Sequence, residues 1–335
     1  MRPARRLFPR IIAADNVWAA YREARAGKRR RPDVARFALD EDEHVTRLID
    51  ELRTGRWRPG RYALRVISEP KRRLIAAAPF RDRVVHHAVH RVLAPLLEPG
   101  FVDTSYACRP GLGTHRAVLA FQRGLARYRY VLRMDVKRYY LEIGWDRLNE
   151  LLRRRIDDDE LHELLDTIIE SGEGLYANPA VLQALGLANR YRPHPRKGLP
   201  IGNLTSQLFG NFFLDGFDHF LKRELKVPVH IKYMDDVALF GDRRGEMRDW
   251  LRACVDWLRR ERGLEVAVKG GAPLSTRATY RFLGVTVARG SRQVSRATVR
   301  RMQARARKAA RAGMSDAESA DFGTAIAAAV SSLAF

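Results

Sequence analysis

The sequence predicts an α+β fold in which an antiparallel sheet carries an acidic hairpin. Two observations predict the sheet. The segment IKYMDDVALF places Asp235 and Asp236 between two apolar, strand-forming runs, and VLRMDV places Asp135 inside a third. A third observation predicts the helices, because apolar residues recur at helical spacing through much of the remaining chain.

The first elements are helices and a hairpin. Residues 15–58 are expected to form two helices, the second rich in acids at its start, where the helix dipole favours them. RYALRVISEPKRRLIAAAPF alternates and is β-branched, which predicts a hairpin that turns at Glu69 and Pro70. RDRVVHHAVHRVLAPLL then predicts a helix, and RPGLGTHRAVLAFQRGLARY predicts a Gly-rich turn that enters another.

The later elements contain the acidic strands. YVLRMDVKRYYLEI is expected to form one strand, followed by a helical stretch at about 146–170 and a mixed insertion at about 172–197. LTSQLFGNFFLDGFDHFLKREL predicts an apolar helix behind the turn GLPIGN. A helix at about 245–262 and strands at LEVAVKG and YRFLGVTVARG should follow, before a strongly cationic helix begins near Arg289.

The charge of the chain points to a nucleic-acid partner. The 335 residues carry a formal net charge of +23, and only nine of the 62 basic residues are lysines. Arginine binds phosphate through two parallel hydrogen bonds and stacks on bases. A GC-rich genome would also favour arginine over lysine, but it would not explain the excess over acidic residues.

Cysteine content and hydropathy exclude other classes. The two cysteines, Cys108 and Cys254, provide neither a disulfide framework nor a CxxC metal site. No apolar run approaches the roughly 20 residues of a membrane span. We therefore expect a cytoplasmic protein without a membrane partner. His86 and His90 are four residues apart but lack an HExxH glutamate. Histidines with satisfied hydrogen bonds, or histidines that face phosphate, are therefore favoured over a zinc site.

The three carboxylates predict a metal site. Two adjacent ionised groups repel, and burying them is unfavourable unless a cation compensates. If the strand of Asp135 neighbours the hairpin of Asp235 and Asp236, the three side chains converge. Mg²⁺ prefers such oxygen ligands, with Mn²⁺ as an alternative, and two ions about 3.5–4 Å apart catalyse nucleotidyl transfer. The alternative is a surface hairpin with solvated acids.

Several ordered blocks resemble reverse transcriptases. YMDD with the upstream MDVKRYY resembles their palm, PKRRLI resembles the finger block, and SYACRPGLGTHRA resembles FRPGRG of group II intron-like bacterial enzymes. GLPIGNLTSQLFGNFFL and FLGVTV stand where the nucleotide-binding turn and the block before the thumb belong. The resemblance covers about residues 45–290 and implies a right-hand polymerase of fingers, palm and thumb.

The resemblance also implies domain boundaries and a host. The expected divisions are an N-terminal helical extension that begins the fingers at 1–60, fingers at 61–130, palm at 131–288 and a helical basic thumb at 289–335. The palm sheet would carry the YMDD hairpin. Such enzymes are encoded by bacteria, archaea or phages.

The resemblance assigns roles to individual residues. Asp135 and Asp235 would be the catalytic metal ligands, with Asp236 completing the triad and the Val136 carbonyl as an additional ligand. Tyr140 would exclude a ribose 2′-OH, although it is also readable as a core aromatic.

Further residues would contact the substrates. Lys71 and Arg73, or Arg72 in their register, would hold the triphosphate of the incoming dNTP, and Lys269 would protonate pyrophosphate. The other expected nucleotide-binding residues are Ile201, Gly202 and Gln207. The expected contacts with template RNA and the RNA/cDNA duplex come from Arg109, Arg296, Arg300, Arg301 and Arg305.

One departure from the family pattern indicates a subtype. Where most reverse transcriptases read PQG…SP, this chain has Ile201 in place of Gln and Gln207 in place of Pro. IGNLTSQ resembles the signature of diversity-generating retroelements, whose enzymes misincorporate opposite template adenines and work with a small basic accessory protein oligomer. An Ile side chain offers no hydrogen bond to hold the nucleotide in register. Alternatively, Ile201 only packs the palm and other residues set fidelity.

Two other functions stay open. The first is another bacterial reverse transcriptase, from a retron, a group II intron or a CRISPR system. The second is a non-catalytic RNA-binding scaffold with a polymerase-like fold, against which the intact Asp135, Asp235 and Asp236 argue.

Overall fold

The structure is a computed structural model that describes residues 3–67, 72–294, 299–300 and 303–304. The first described elements are helices and one hairpin. They are α1 (Phe8–Ile12), α2 (Ala14–Arg25), α3 (Pro32–Ala38), α4 (Glu41–Arg53), β1 (Ala63–Ile67), β2 (Arg73–Ala77), α5 (Phe80–Leu97) and a 3₁₀ turn, Glu98–Gly100. The elements around the first acidic strand are α6 (Thr114–Arg127), β3 (Tyr130–Val136), α7 (Tyr139–Glu142), α8 (Trp145–Arg153), α9 (Asp159–Glu170) and α10 (Pro179–Leu185).

The remaining elements contain the acidic hairpin. They are α11 (Leu204–Phe213), α12 (Asp215–His219), a π-helix (Phe220–Glu224), β4 (Val229–Tyr233), β5 (Asp236–Gly241), α13 (Arg244–Arg262), β6 (Val266–Ser275), β7 (Tyr280–Phe282), β8 (Val285–Val287) and β9 (Arg292–Val294). This mixture of helices and antiparallel sheets confirms the predicted α+β class. Among the described residues, no helix is long and apolar enough to cross a bilayer.

Some predicted boundaries were wrong. The strand expected to run through YVLRMDVKRYYLEI ends at Val136, because Arg138 takes a left-handed φ of 49° and opens α7. The helical stretch at 146–170 is two helices, and the second begins where the Asp158 side chain accepts a hydrogen bond from the Leu161 amide. The region 15–58 holds three helices, since Pro32 starts α3.

The chain divides into two compact units. The first comprises Met1–Phe101, Lys137–Phe217 and Trp257–Glu265. In it, α2 packs on α5, with Tyr21, Phe37 and Phe80 in mutual ring contact. β1 and β2 form the predicted antiparallel hairpin, whose turn lies outside the described residues.

The second unit comprises Val102–Val136, Asp218–Asp256 and Val266–Phe335. Its antiparallel sheet has the order β4-β5-β3-β6, and β7, β8 and β9 form a smaller sheet. The core contains α6 residues together with residues of both sheets, and the rings of Phe121 and Phe282 stack with centroids 4.3 Å apart. The predicted helical thumb at 289–335 is wrong at its start, because Arg292–Val294 pair with β8 as a strand, and most of the remainder lies outside the described residues.

Candidate active site

The acidic hairpin is a tight turn between β4 and β5. Tyr233 pairs with Asp236, so Met234 and Asp235 form a two-residue loop. Met234 has a φ of 55°, a left-handed conformation that normally favours glycine at the first loop position. The Val136 amide donates to the Asp235 carbonyl at 3.0 Å, which ties the loop to the end of β3.

A buried ion pair anchors the strand that enters this loop. The Lys232 ammonium lies 2.6 Å from the Asp218 carboxylate, and each side chain is 1% exposed. The Lys232 amide also donates to the Thr104 carbonyl, and its own carbonyl accepts from Tyr106. Because removing one partner of a buried pair leaves an uncompensated charge, β4 is strongly fixed in this register.

β3 lies between β5 and β6 and brings two of the predicted carboxylates together. Asp135 pairs directly with Asp236 across the antiparallel ladder, and each of these side chains is 17% exposed. Like charges that face each other across a sheet are destabilising. The arrangement therefore requires positive charge nearby.

Two cations supply that charge from the same sheet. The Lys269 ammonium lies 3.3 Å from Asp135 Oδ1 and 2.8 Å from Asp236 Oδ2. Arg133 pairs across the sheet with Lys269, and its Nη2 lies 3.7 Å from Asp236 Oδ2. We call Arg133, Asp135, Asp236 and Lys269 the carboxylate face.

The sequence analysis names Lys269 as a candidate but not Arg133. A signal for Arg133 is present, because it precedes Asp135 by two residues and alternate residues of a strand share a face.

The carboxylate face offers oxygen atoms of the kind that divalent cations prefer as ligands. Asp236 Oδ1 is buried and has no hydrogen-bond partner among the described residues, which leaves a carboxylate oxygen for a cation. Carboxylate oxygens are the ligands that Mg²⁺ and Mn²⁺ prefer. No group of three His, Cys, Asp or Glu side chains within the described ranges forms a complete ligand set, so the metal-binding triad stays a prediction.

In the first unit, the predicted nucleotide-binding turn is fixed by backbone contacts. We call residues 201–203 the IGN turn. The Ala76 amide of β2 donates to the Ile201 carbonyl at 2.8 Å. Gly202 has a φ of 137°, and a Cβ there would lie 2.6 Å from the Ala76 carbonyl oxygen. Only glycine therefore fits this position without a backbone shift.

Tyr140 also lies in the first unit, and contacts within that unit fix its position. The Leu199 amide donates to the Tyr140 carbonyl at 2.8 Å. A Cβ at Gly210 of α11 would lie 3.2 Å from the Tyr140 hydroxyl oxygen, so the small residue leaves room for the ring. Tyr139, next to it, is buried and donates its hydroxyl to the Gly210 carbonyl.

The other predicted residues have varied environments. Arg73 is exposed at the start of β2, and Gln207 is half-buried in α11. Arg109 donates to the carbonyls of Val102 and Ser105 at 2.7 and 2.9 Å, which gives its guanidinium a role in holding this loop. Arg300 is exposed. Four predicted site residues lie outside the described residues: Lys71, Arg296, Arg301 and Arg305.

His86, considered above as one of a pair, is buried in the first unit. Its Nδ1 lies 2.9 Å from the Thr205 hydroxyl of α11, consistent with a hydrogen-bonded histidine. Burial lowers the pKa of His86 to about 3, so the ring is neutral near pH 7.

Comparison with known proteins gives several relatives. The protein YkfC of Escherichia coli is 28% identical over 181 residues, which cover 52% of this chain and 44% of that protein. The group II intron-encoded protein LtrA of Lactococcus lactis is 23% identical over 225 residues, or 64% of this chain and 35% of that protein. The chain thus spans less than half the length of these curated relatives.

Solved structures of telomerase also match. A telomerase from Candida albicans, solved with a fragment of telomeric RNA, aligns with a TM-score of 0.42 and 12% identity, over 71% of this chain and 46% of that one. An apo telomerase from Candida tropicalis aligns with a TM-score of 0.43 and 11% identity, over 70% of this chain and 55% of that one.

The family profile described as "Reverse transcriptase (RNA-dependent DNA polymerase)" matches residues 68–287 of the 335. The match includes β3, the acidic hairpin and β6, and therefore the whole carboxylate face. The chain belongs to the reverse transcriptase family.

Proposed function

We propose that this protein is an RNA-directed DNA polymerase whose chemistry takes place at the carboxylate face. The observation that carries the proposal is the direct pairing of Asp135 with Asp236 within a segment that belongs to the reverse transcriptase family. Opposed carboxylates with a buried, unpartnered oxygen are suited to divalent ions shared with substrate phosphates.

In this proposal, Asp135, Asp235, Asp236 and the Val136 carbonyl hold Mg²⁺ or Mn²⁺. Bound divalent ions activate the primer hydroxyl and stabilise the leaving oxygen in phosphoryl transfer. Lys269, which lies beside both carboxylates, protonates the departing pyrophosphate, the role that the family resemblance gives it.

Further residues have binding roles. Lys71 and Arg73 hold the triphosphate of the dNTP, and Tyr140 excludes a ribose 2′-OH. Ile201, Gly202 and Gln207 contact the nucleotide. Template RNA and the RNA/cDNA duplex are held through their phosphates by basic residues, which give affinity without sequence information. Those residues are Arg109, Arg296, Arg300, Arg301 and Arg305.

We further propose that the enzyme belongs to a diversity-generating retroelement and makes cDNA with errors at template adenines. The motif IGNLTSQ supports this subtype. The geometry adds that the Ile201 backbone is hydrogen-bonded to β2, so the turn presents an apolar side chain from a fixed position. A small basic accessory protein would be its partner.

A second candidate is a reverse transcriptase of the group II intron type. The similarity to LtrA, a group II intron-encoded protein, favours it. Both candidates share the polymerase chemistry and differ in fidelity. The error spectrum of the cDNA therefore separates them.

The test is to sequence cDNA made by the purified protein, with Mg²⁺ and dNTPs, from an RNA template that contains all four bases in similar numbers. We expect an excess of errors opposite adenine that falls several-fold in Ile201→Gln, because a positioning hydrogen bond is worth about 1 kcal/mol. Leu39→Gln, at a residue that is 86% exposed, is the control and should leave the spectrum unchanged.

An error rate at adenine equal to that at other bases in the wild-type protein would reject the subtype and favour the group II intron type. An adenine excess that Ile201→Gln leaves intact would reject Ile201 as its determinant.

A further inference from the structure

Arg133 is a charged side chain inside an aromatic core. The residue is 8% exposed, and its guanidinium carbon lies 5.6 Å from the ring centroid of Phe121 and 5.7 Å from that of Phe282. These rings belong to α6 and β7 and stack on each other. Cation–π contact favours this placement, and both rings belong to an apolar core cluster.

The placement is unfavourable for stability. Arg133 Nε is buried and has no hydrogen-bond partner among the described residues. An uncharged side chain such as methionine would fill the same apolar space without desolvating a charge. A residue that breaks a local rule of packing in this way is expected to serve the adjacent site.

The carboxylate that Arg133 approaches is that of Asp236. Its Nη2 lies 3.7 Å from Asp236 Oδ2, the oxygen that Lys269 also approaches, while Asp236 Oδ1 is left without a hydrogen bond. The two cations differ in freedom, because the Lys269 side chain is 31% exposed and that of Arg133 is 10% exposed. Arg133 is thus the fixed cation of the carboxylate face.

We propose that Arg133 is a positioning residue that acts through Asp236. Its fixed charge holds one oxygen of this carboxylate against the sheet and turns the other toward the divalent ion. The same charge competes with the ion for the Asp236 carboxylate, so Arg133 weakens divalent binding while it raises turnover. The inference rests on the proposed function, since it assumes that the carboxylate face binds a divalent ion.

Neutralising Arg133 should separate binding from turnover. In Arg133→Met, we expect Mn²⁺ to bind at least about threefold more tightly, because the ion no longer competes with the guanidinium for the Asp236 carboxylate. We expect kcat for DNA synthesis to fall about tenfold or more, because Asp236 is no longer held. A substitution that only disturbs the structure would lower both the Mn²⁺ affinity and kcat. Arg133→Lys keeps the charge, so its Mn²⁺ affinity should lie within about twofold of that of the wild type.

The chain offers a matched control in the first unit. Arg262 is also 8% exposed, and its guanidinium lies 4.7 Å from the Trp257 ring and 5.7 Å from the Phe213 ring. Its Nε donates to the Phe213 carbonyl at 2.7 Å. Arg262→Met removes a buried arginine from an aromatic setting outside the carboxylate face, and it should leave Mn²⁺ affinity unchanged.

The experiment titrates the full-length protein with Mn²⁺ alone, without nucleic acid or dNTPs, and counts free Mn²⁺ by electron paramagnetic resonance. Wild type, Arg133→Met, Asp236→Asn and the double variant form a cycle, with Arg133→Gln replacing the methionine variant if that does not fold. We expect the tightening caused by losing Arg133 to disappear in the Asp236→Asn background.

Unchanged or weaker Mn²⁺ binding in Arg133→Met would overturn the inference. A tightening that persists without the Asp236 charge would overturn it as well, because Arg133 would then not act through that carboxylate. Absence of DNA synthesis by the wild-type protein would instead contradict the proposed function, which the binding cycle does not depend on.

Discussion

The carboxylate face and the IGN turn are held in place by different forces. The carboxylate face combines two opposed carboxylates with two cations on a buried sheet, so its geometry depends on charge balance. The IGN turn contains no charged residue and depends on a backbone hydrogen bond to Ala76 and on a glycine with positive φ. Substitutions at the carboxylate face should change the rate of DNA synthesis, and those at the IGN turn should change selectivity and stability.

The largest effect should come from removing one charge of the carboxylate face. Asp135→Asn keeps the shape of the side chain but lowers its affinity for a divalent ion, so DNA synthesis should fall by about 1,000-fold or more. Primer extension measures the loss. Asp242→Asn is the control, because Asp242 Oδ1 only accepts from the Arg129 amide. Equal activity of Asp135→Asn and wild type would remove Asp135 from the chemistry.

A smaller effect on selectivity is expected at Tyr140. Tyr140→Ala removes the ring that we propose excludes the 2′-OH, and discrimination between dNTP and rNTP by kcat/KM should fall about 10- to 100-fold. Tyr140→Phe keeps the ring and should retain the discrimination. If alanine leaves the ratio unchanged, Tyr140 is a packing residue, as its contact with Gly210 would also allow.

A substitution in the IGN turn should lower the stability of the protein. Gly202→Ala places a Cβ against the Ala76 carbonyl oxygen and should lower the free energy of unfolding by about 1–3 kcal/mol. Gly174→Ala is matched, since Gly174 also has a positive φ but no heavy atom within 4 Å of an added Cβ. Urea denaturation that gives the same loss for both would show that the close approach to β2 does not matter.

The smallest expected effect is the contribution of His86 to the pH dependence of stability. The pKa of His86 is lowered to about 3 by burial, so the unfolded chain binds a proton below about pH 6.5 that the folded chain does not. Stability should therefore fall as the pH falls, by about 1.3 kcal/mol between about pH 7 and pH 5.5 for this residue. His86→Gln should show a correspondingly weaker pH dependence in urea denaturation. An unchanged dependence would mean that the pKa of His86 is the same in the folded and the unfolded protein.

The sequence predicted the acidic elements well because their patterns are local. The apolar run around Asp135 and the apolar flanks of Asp235 and Asp236 indicate strands. The break after β3 was not predictable in this way. It depends on the left-handed conformation of Arg138, a residue with no local signal for such a φ.

Long-range contacts explain the rest. The neutralising role of Arg133 depends on the register that puts it opposite Lys269 and on rings from α6 and β7. The hydrogen bond from Ala76 to Ile201 joins residues that are 125 positions apart. Periodicity and short motifs carry no information on such pairs.

Primer extension on a defined RNA template, with a DNA primer, dNTPs and Mg²⁺, would test the proposed activity at its source. We expect DNA product that requires the RNA template and is lost in Asp235→Ala. Absence of product with the folded wild-type protein, or equal product from Asp235→Ala, would contradict the claim that the carboxylates perform RNA-directed DNA synthesis.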